Sequence, residues 1–107
     1  MSRTNPGLAP IFAALGDPVR LELVSRLSDG EQRSITQLAE GLSLTRQGVT
    51  KHLQVLSQVG IVSQEQAGRE KRFAIKPESI APARDYLQRA SAQWDAAIAR
   101  LKLNVEG

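Results

Sequence analysis

Two helical segments separated by only Leu42, Ser43 and Leu44 are followed at once by a change of hydrophobic period, and this succession constrains the chain more than any other feature. Ser34-Ile35-Thr36-Gln37 has the form of a capping box, in which hydroxyl and amide side chains satisfy backbone amides reciprocally at a helix entry. The helix it opens is expected to run to about Gly41 and to bury Ile35, Leu38 and Ala39. Thr45 is a second N-cap, and Val49, Leu53, Leu56 and Val59 follow at helical spacing until Gly60 ends the run. Past Gly60, residues 61–65 and 71–75 read as short strands joined by a loop over residues 66–70. Two short helices with a tight turn over residues 34–60, then a hairpin over residues 61–76, form the pattern of a helix-turn-helix carrying a wing.

The flanks fit around that unit. Asn5-Pro6-Gly7 interrupts regular structure, so residues 1–7 are expected to be a mobile arm, with a single domain over residues 8–107. Leu8, Ile11, Phe12 and Leu15 recur at helical spacing up to Gly16, and Asp17-Pro18 is a helix start. The aspartate accepts hydrogen bonds from first-turn amides there, and proline has no amide to leave unsatisfied. Val19, Leu21, Leu23, Val24 and Leu27 are expected to line this second helix as far as Asp29-Gly30. A last helix is expected over residues 79–102, where Ile80, Ala83, Leu87, Ala90, Trp94, Ala97 and Leu101 alternate three and four apart as a coiled-coil seam. The fold class is mainly α with a small β-hairpin, in the order α-α-α-α-β-β-α.

Composition narrows the chemistry. The 107 residues include no cysteine, which removes disulfides, thiolate metal sites, cysteine nucleophiles and thiol redox switches together. No apolar run approaches the roughly 20 residues of a membrane span and no secretory signal is recognisable, so a cytoplasmic protein with no membrane partner is expected. No phosphate-binding glycine loop or nucleophile elbow is present, and so small a body encloses a substrate poorly; no enzyme and no catalytic residue is expected. His52 is the only histidine. Alone it cannot build a metal site, so neither metal nor cofactor is expected.

The net charge is +3, and its placement matters more than its size. Residues 44–77 hold Arg46, Lys51, Arg69, Lys71, Arg72 and Lys76 against Glu65 and Glu70, a balance of +4 that leaves −1 for the rest. The basic charge therefore sits on the second helix of the pair and on the wing. The second helix of such a pair enters the major groove of duplex DNA and offers its N-terminal residues to base edges. Those residues are Thr45, Arg46, Gln47, Gly48, Thr50 and Lys51. With Val49 and Leu53 turned to the core, Arg46, Gln47 and Thr50 are expected to share the outward arc. Arginine to guanine and glutamine to adenine are the pairings groove geometry favours, each worth about 1–3 kcal/mol of discrimination when bidentate.

Thr50, Lys51 and the helix start at Thr45 suit phosphates. Gly48 fits either a close approach to the DNA backbone or a packing need. His52 is read as a phosphate contact or as a hydrogen-bonded, partly buried side chain. Arg69 at the hairpin tip suits a minor groove or a phosphate, with Lys71 and Arg72 beside it. The bland alternative is an ordinary solvated face, which the clustering of charge argues against. Tyr86 and Trp94 lie on the last helix, whose seam is too long for so small a core. Pairing with a second copy through Tyr86, Leu87, Ala90, Trp94, Ala97 and Leu101, with Leu8, Ile11 and Phe12 of the first helix, would bury it. The alternative is a helix folded back on its own domain with Trp94 in that core.

Three segments taken in order resemble the ArsR/SmtB-type winged-helix regulators: Leu15-Gly16-Asp17-Pro18-Val19-Arg20-Leu21; Thr45-Arg46-Gln47-Gly48-Val49-Thr50-Lys51-His52-Leu53-Gln54-Val55-Leu56; and Gly60-Ile61-Val62 with Gly68-Arg69-Glu70-Lys71-Arg72-Phe73. The resemblance covers about residues 8–76. It implies a homodimer that binds double-stranded DNA, usually as the repressor of a nearby operon, with the first and last helices at the dimer interface. It also implies that Arg46, Gln47, Gly48, Thr50 and Lys51 occupy the base- and phosphate-contacting stretch and Arg69 the wing tip. Metal-sensing members carry a cysteine pair on the third helix or a His/Asp/Glu set on the last. The third helix here reads Ile35-Thr36-Gln37-Leu38-Ala39-Glu40 and the last has no histidine. Sensing of metals or thiol oxidants through those sites is therefore not expected, and the inducer stays unassigned. Two other readings follow from the residues: a winged helix that docks on an acidic protein partner, and a small-molecule sensor with a pocket beside Trp94.

Overall fold

The computed structural model describes residues 8–106; the arm over residues 1–7 lies outside the described residues. α1 (Leu8–Leu15) ends where Asp17 begins the next helix. Asp17 Oδ2 accepts hydrogen bonds from the Val19 amide at 2.9 Å and the Arg20 amide at 3.1 Å, and Pro18 takes the first helical position of α2 (Pro18–Arg26). α2 closes at Leu27, before the expected Asp29-Gly30. Leu23 and Leu27 are completely buried, whereas Leu21, assigned to the same apolar face by spacing, is 54% exposed. A step of about 100° per residue carries Leu21 far around the helix from Leu23.

A short strand, β1 (Arg33–Ser34), precedes the helix-turn-helix, so the order is α-α-β-α-α-β-β-α. Two residues are too few to show a strand period in sequence. Ser34 then caps α3 (Ile35–Ala39), accepting from the Gln37 amide at 3.2 Å while the Gln37 side chain accepts from the Ser34 amide at 2.9 Å. α4 (Arg46–Gln58) is capped by Thr45, whose Oγ accepts from the Gly48 amide at 3.0 Å. Gly60 ends this part of the chain with φ +85°, a conformation that side-chain-bearing residues rarely adopt.

β2 (Val62–Ala67) and β3 (Glu70–Ile75) are longer than the expected strands and leave only Gly68 and Arg69 as the turn. Gly68 has φ +64°, as a primed two-residue hairpin turn requires at its first central position. β3 is central in an antiparallel sheet of order β1-β3-β2, pairing Arg33 with Phe73 on one side and Gln64 with Phe73 on the other. Leu23, Leu27, Leu38, Val49, Leu53, Leu56, Ile61 and Val62 form the completely buried centre, joined by Phe73.

α5 (Pro77–Glu106) starts two residues earlier than expected, with Pro77 at the first position, where its fixed φ suits a helix and its missing amide costs nothing. Only its beginning belongs to the core. Ala83 is 4% exposed and Ile80 packs on the buried cluster, but from Leu87 onward the seam is bare. Thirty helical residues span about 45 Å, and the molecule measures 65 × 34 × 23 Å. Its radius of gyration of 17.8 Å exceeds the roughly 13 Å of a compact chain of this length, because α5 projects beyond the body.

Candidate nucleic-acid interface

α4 is held by its apolar face. Val49, Leu53 and Leu56 are completely buried, and the opposite face is open to solvent. Gln47, Gly48, Thr50, Lys51 and Gln54 line, with Thr45, a shallow concavity of about 450 Å³ along that face. Gln54 is the residue the sequence reading missed. It follows Gln47 by seven, about two helical turns, and that spacing was the available signal. Arg46 is exposed about 100° around the helix from Gln47, with Thr50 between them in angle, and is not among the residues that line the concavity.

The Thr50 hydroxyl donates to the Arg46 carbonyl at 2.8 Å, so its proton is used within the helix and acceptor capacity is left. A Cβ placed on Gly48 would meet nothing nearer than Thr45 Oγ at 3.4 Å, an ordinary contact. Packing within the chain therefore does not explain the glycine.

His52 turns away from the solvent face. Its Nδ1 lies 3.3 Å from Arg20 Nη1 and 3.8 Å from Asp17 Oδ2. Of its two expected readings, the geometry matches the hydrogen-bonded, partly buried one. An arginine has only donors, so a hydrogen bond between the two requires Nδ1 as the acceptor. Arg20 Nε donates to the Ala14 carbonyl at 2.6 Å, so one guanidinium joins the end of α1 to α4. The bond from the Arg20 amide, helped by that from Val19 and by the positive groups nearby, holds the Asp17 carboxyl below its ordinary value. One and a half turns further along α2, Arg26 Nη1 donates to the carbonyls of Leu38 and Glu40 and so closes the end of α3. α2 thus fixes both members of the helix-turn-helix.

At the wing, Arg69 is exposed in the turn. Lys71 and Arg72 face opposite ways, as neighbours on a strand do. Arg72 bonds Glu70 Oε1 through Nε at 3.3 Å and Nη2 at 3.2 Å, whereas Lys71 is exposed on the other face.

The residues assigned to a partner copy divide into two groups. Leu8 and Ile11 are 8% and 7% exposed in the single chain and belong to its core, with little surface left to offer. Phe12 packs on Tyr86 of the same chain. Leu87, Trp94 and Leu101 are open, and so are Ile98 and Leu103, which the seam spacing did not include; Ala90 and Ala97 are half-buried between them. Trp94 is 68% exposed, so it is not in the core of its own domain. Among the described residues no three histidine, aspartate or glutamate side chains gather in a metal-binding arrangement, and no helix is long and apolar enough to cross a membrane.

The comparisons with known proteins converge on this arrangement. Residues 15–65 match the model of a helix-turn-helix domain. An HTH-type transcriptional regulator of Bacillus subtilis, YuzN, is 35% identical over 76 residues, covering 65% of this chain and 83% of that protein. The HTH-type transcriptional regulator CmtR of Mycobacterium bovis is 38% identical over 76 residues, covering 71% of this chain and 64% of CmtR, so the chain spans just under two thirds of that relative. An ArsR-like transcriptional regulator from Rhodococcus sp. RHA1 is similar in structure, with a TM-score of 0.68, 35% identity and 90% of each chain covered. With the capped helix pair, the wing and these relatives in agreement, the chain belongs to the ArsR/SmtB-type winged helix-turn-helix family of DNA-binding transcriptional regulators.

Proposed function

We propose that the protein is a homodimeric repressor that reads an inverted-repeat operator. α4 lies in the major groove, Arg46 and Gln47 meet base edges, Thr50 offers its hydroxyl oxygen to a donor on a base, and Thr45 and Lys51 hold phosphates, with Arg69 at the wing tip on the flanking duplex. The observation that carries this reading is the division of α4, with three completely buried apolar residues on one side and a polar face of Gln47, Lys51 and Gln54 on the other. Gly48 supports it, since a glycine without an internal packing reason suits the close approach of a sugar-phosphate backbone. A second copy sits on the bare seam of α5, which carries Leu87, Trp94, Ile98 and Leu101 outside the single-chain core. The dimer then sets the two α4 helices about 34–36 Å apart, one turn of the duplex. The protein works in the cytoplasm, takes no metal or cofactor and catalyses no reaction of its own.

Selection from randomised duplex DNA at near-physiological salt, with the wild type beside Arg46→Ala and Gln47→Ala, tests the proposal. An enriched inverted repeat that loses one base preference in each variant supports it. If the wild type enriches nothing, or both variants weaken every sequence equally, base reading by α4 is wrong.

A further inference from the structure

We infer that Arg20 is a positioning residue for DNA recognition: through His52 it sets the orientation of α4 relative to α1, and it does so without touching DNA. The inference deepens the reading of α4 as the recognition helix and rests on it. One planar guanidinium makes two contacts at once, from Nε to the Ala14 carbonyl at 2.6 Å and from Nη1 to His52 Nδ1 at 3.3 Å. Arginine presents several donors in a fixed fork, so satisfying both acceptors fixes the relative placement of the elements that carry them. Those elements are the last turn of α1 and the middle of α4. Arg20 is itself held, because its amide donates to Asp17 Oδ2 in the cap of α2.

The bond lies on the inner side of α4. His52 is partly buried, with its side chain 24% exposed, whereas its neighbour Lys51 is open on the groove-facing side. The apolar contacts of Val49, Leu53 and Leu56 resist separation of α4 from the core but fix its rotation and slide weakly, because dispersion and burial have little directionality. A directional, charge-assisted bond supplies that restraint. It also makes α1, which packs on the base of α5, the fixed point against which the reading face is aimed.

Two measurements on the full chain test this. His52 is the only histidine, so isotopic labelling of histidine gives one imidazole signal set. In mildly alkaline buffer the wild type is expected to show Nδ1 unprotonated and Nε2 protonated, with the Nδ1 signal moving in Arg20→Gln. A proton on Nδ1, or no response to Arg20→Gln, overturns the bond, and this result does not depend on DNA.

The second measurement is binding to the duplex recovered by selection and to a mixed-sequence duplex. It compares wild type, Arg20→Gln, Arg20→Lys, His52→Leu, Arg20→Gln with His52→Leu, and Arg46→Ala, each with its thermal midpoint. Arg20→Gln and His52→Leu are expected to weaken the selected duplex about tenfold while leaving mixed-sequence binding and the salt slope unchanged. The double variant is expected to lose no more than the worse single one, and Arg20→Lys, which reaches only one acceptor, to fall between. A salt slope smaller by about one charge in Arg20→Gln would make Arg20 a phosphate contact and overturn the inference. Additive losses, or unchanged affinity in both single variants, overturn it as well. Arg46→Ala separates the two ideas. If it alone has no effect, the base-reading proposal fails while the imidazole result still decides the Arg20–His52 bond.

Discussion

The ring of Phe12 on α1 lies 5.8 Å from the ring of Tyr86 on α5, tilted by 56°. This is the tilted geometry that aromatic quadrupoles favour, worth about 0.5–1.5 kcal/mol beyond the area it buries. It joins the first and last helices of one chain at the point where the α5 seam leaves the core. Phe12→Ala is expected to lower the thermal midpoint by roughly 4 °C or more, given about 4–8 °C per kcal/mol in a domain of this size. Tyr86→Phe keeps the ring and should leave the midpoint unchanged. Circular dichroism melts decide it, and equal midpoints for Phe12→Ala and wild type would remove the pair as a structural link.

Ser34 is 5% exposed and both directions of its capping box are formed. Ser34→Ala is expected to cost about 1–2 kcal/mol, because the amide of Gln37 loses its partner in a partly buried bond. Gln37→Ala removes only the return bond and should cost less. Urea unfolding with an unchanged slope would measure both, and a reversed order would mean that the Gln37 side chain carries the cap.

Acid should erode stability at a predictable place. Arg33 donates to Asp29 through Nη1 at 2.9 Å and Nη2 at 2.8 Å, and holds its carboxyl down to about 2 from the ordinary 3.8. A depressed carboxylate contributes stability in full above its unfolded value and loses it as pH falls through the folded one. Part of the unfolding free energy is therefore expected to disappear between pH 3.8 and about 2, and Asp29→Asn to flatten that stretch. Denaturant midpoints measured across the range check it; a slope shared by wild type and variant would mean the pair contributes nothing there.

Gly48→Ala separates stability from function. Alanine is the better helix former by roughly 0.5–1 kcal/mol, and the site has room for its methyl group. The variant is expected to melt at a higher temperature and yet bind duplex DNA more weakly. Tighter or equal binding would show that no backbone approaches this position.

Trp94 is two thirds exposed in the single chain, and the proposed dimer would cover it. Trp94→Arg places a charge in that seam and is expected to give a monomer in sedimentation equilibrium with the fold retained. Wild-type fluorescence should shift to the red on dilution as the indole meets water. A wild type that sediments as a monomer at every concentration would refute the seam.

What was legible in the sequence was local. Asp17, Ser34 and Thr45 cap the helices that follow them because a cap is a bond between side chain and backbone two or three residues apart. Gly60 and Gly68 mark reversals because few other residues accept their φ. Leu21 misled because an apolar residue near the right spacing need not point inward, and β1 went unseen because two residues have no period.

The sequence by itself determined the order of the helices, the turn, the hairpin and the basic charge on α4 and the wing, since period, capping and composition are properties of neighbouring residues. Only the tertiary structure decided that His52 faces Arg20 rather than solvent and that Arg26 closes the end of α3. It also decided where the α5 seam stops being core. Each of these depends on how one element is rotated against another, and that rotation is set by contacts between residues far apart in the chain, such as Arg20 with His52 and Phe12 with Tyr86.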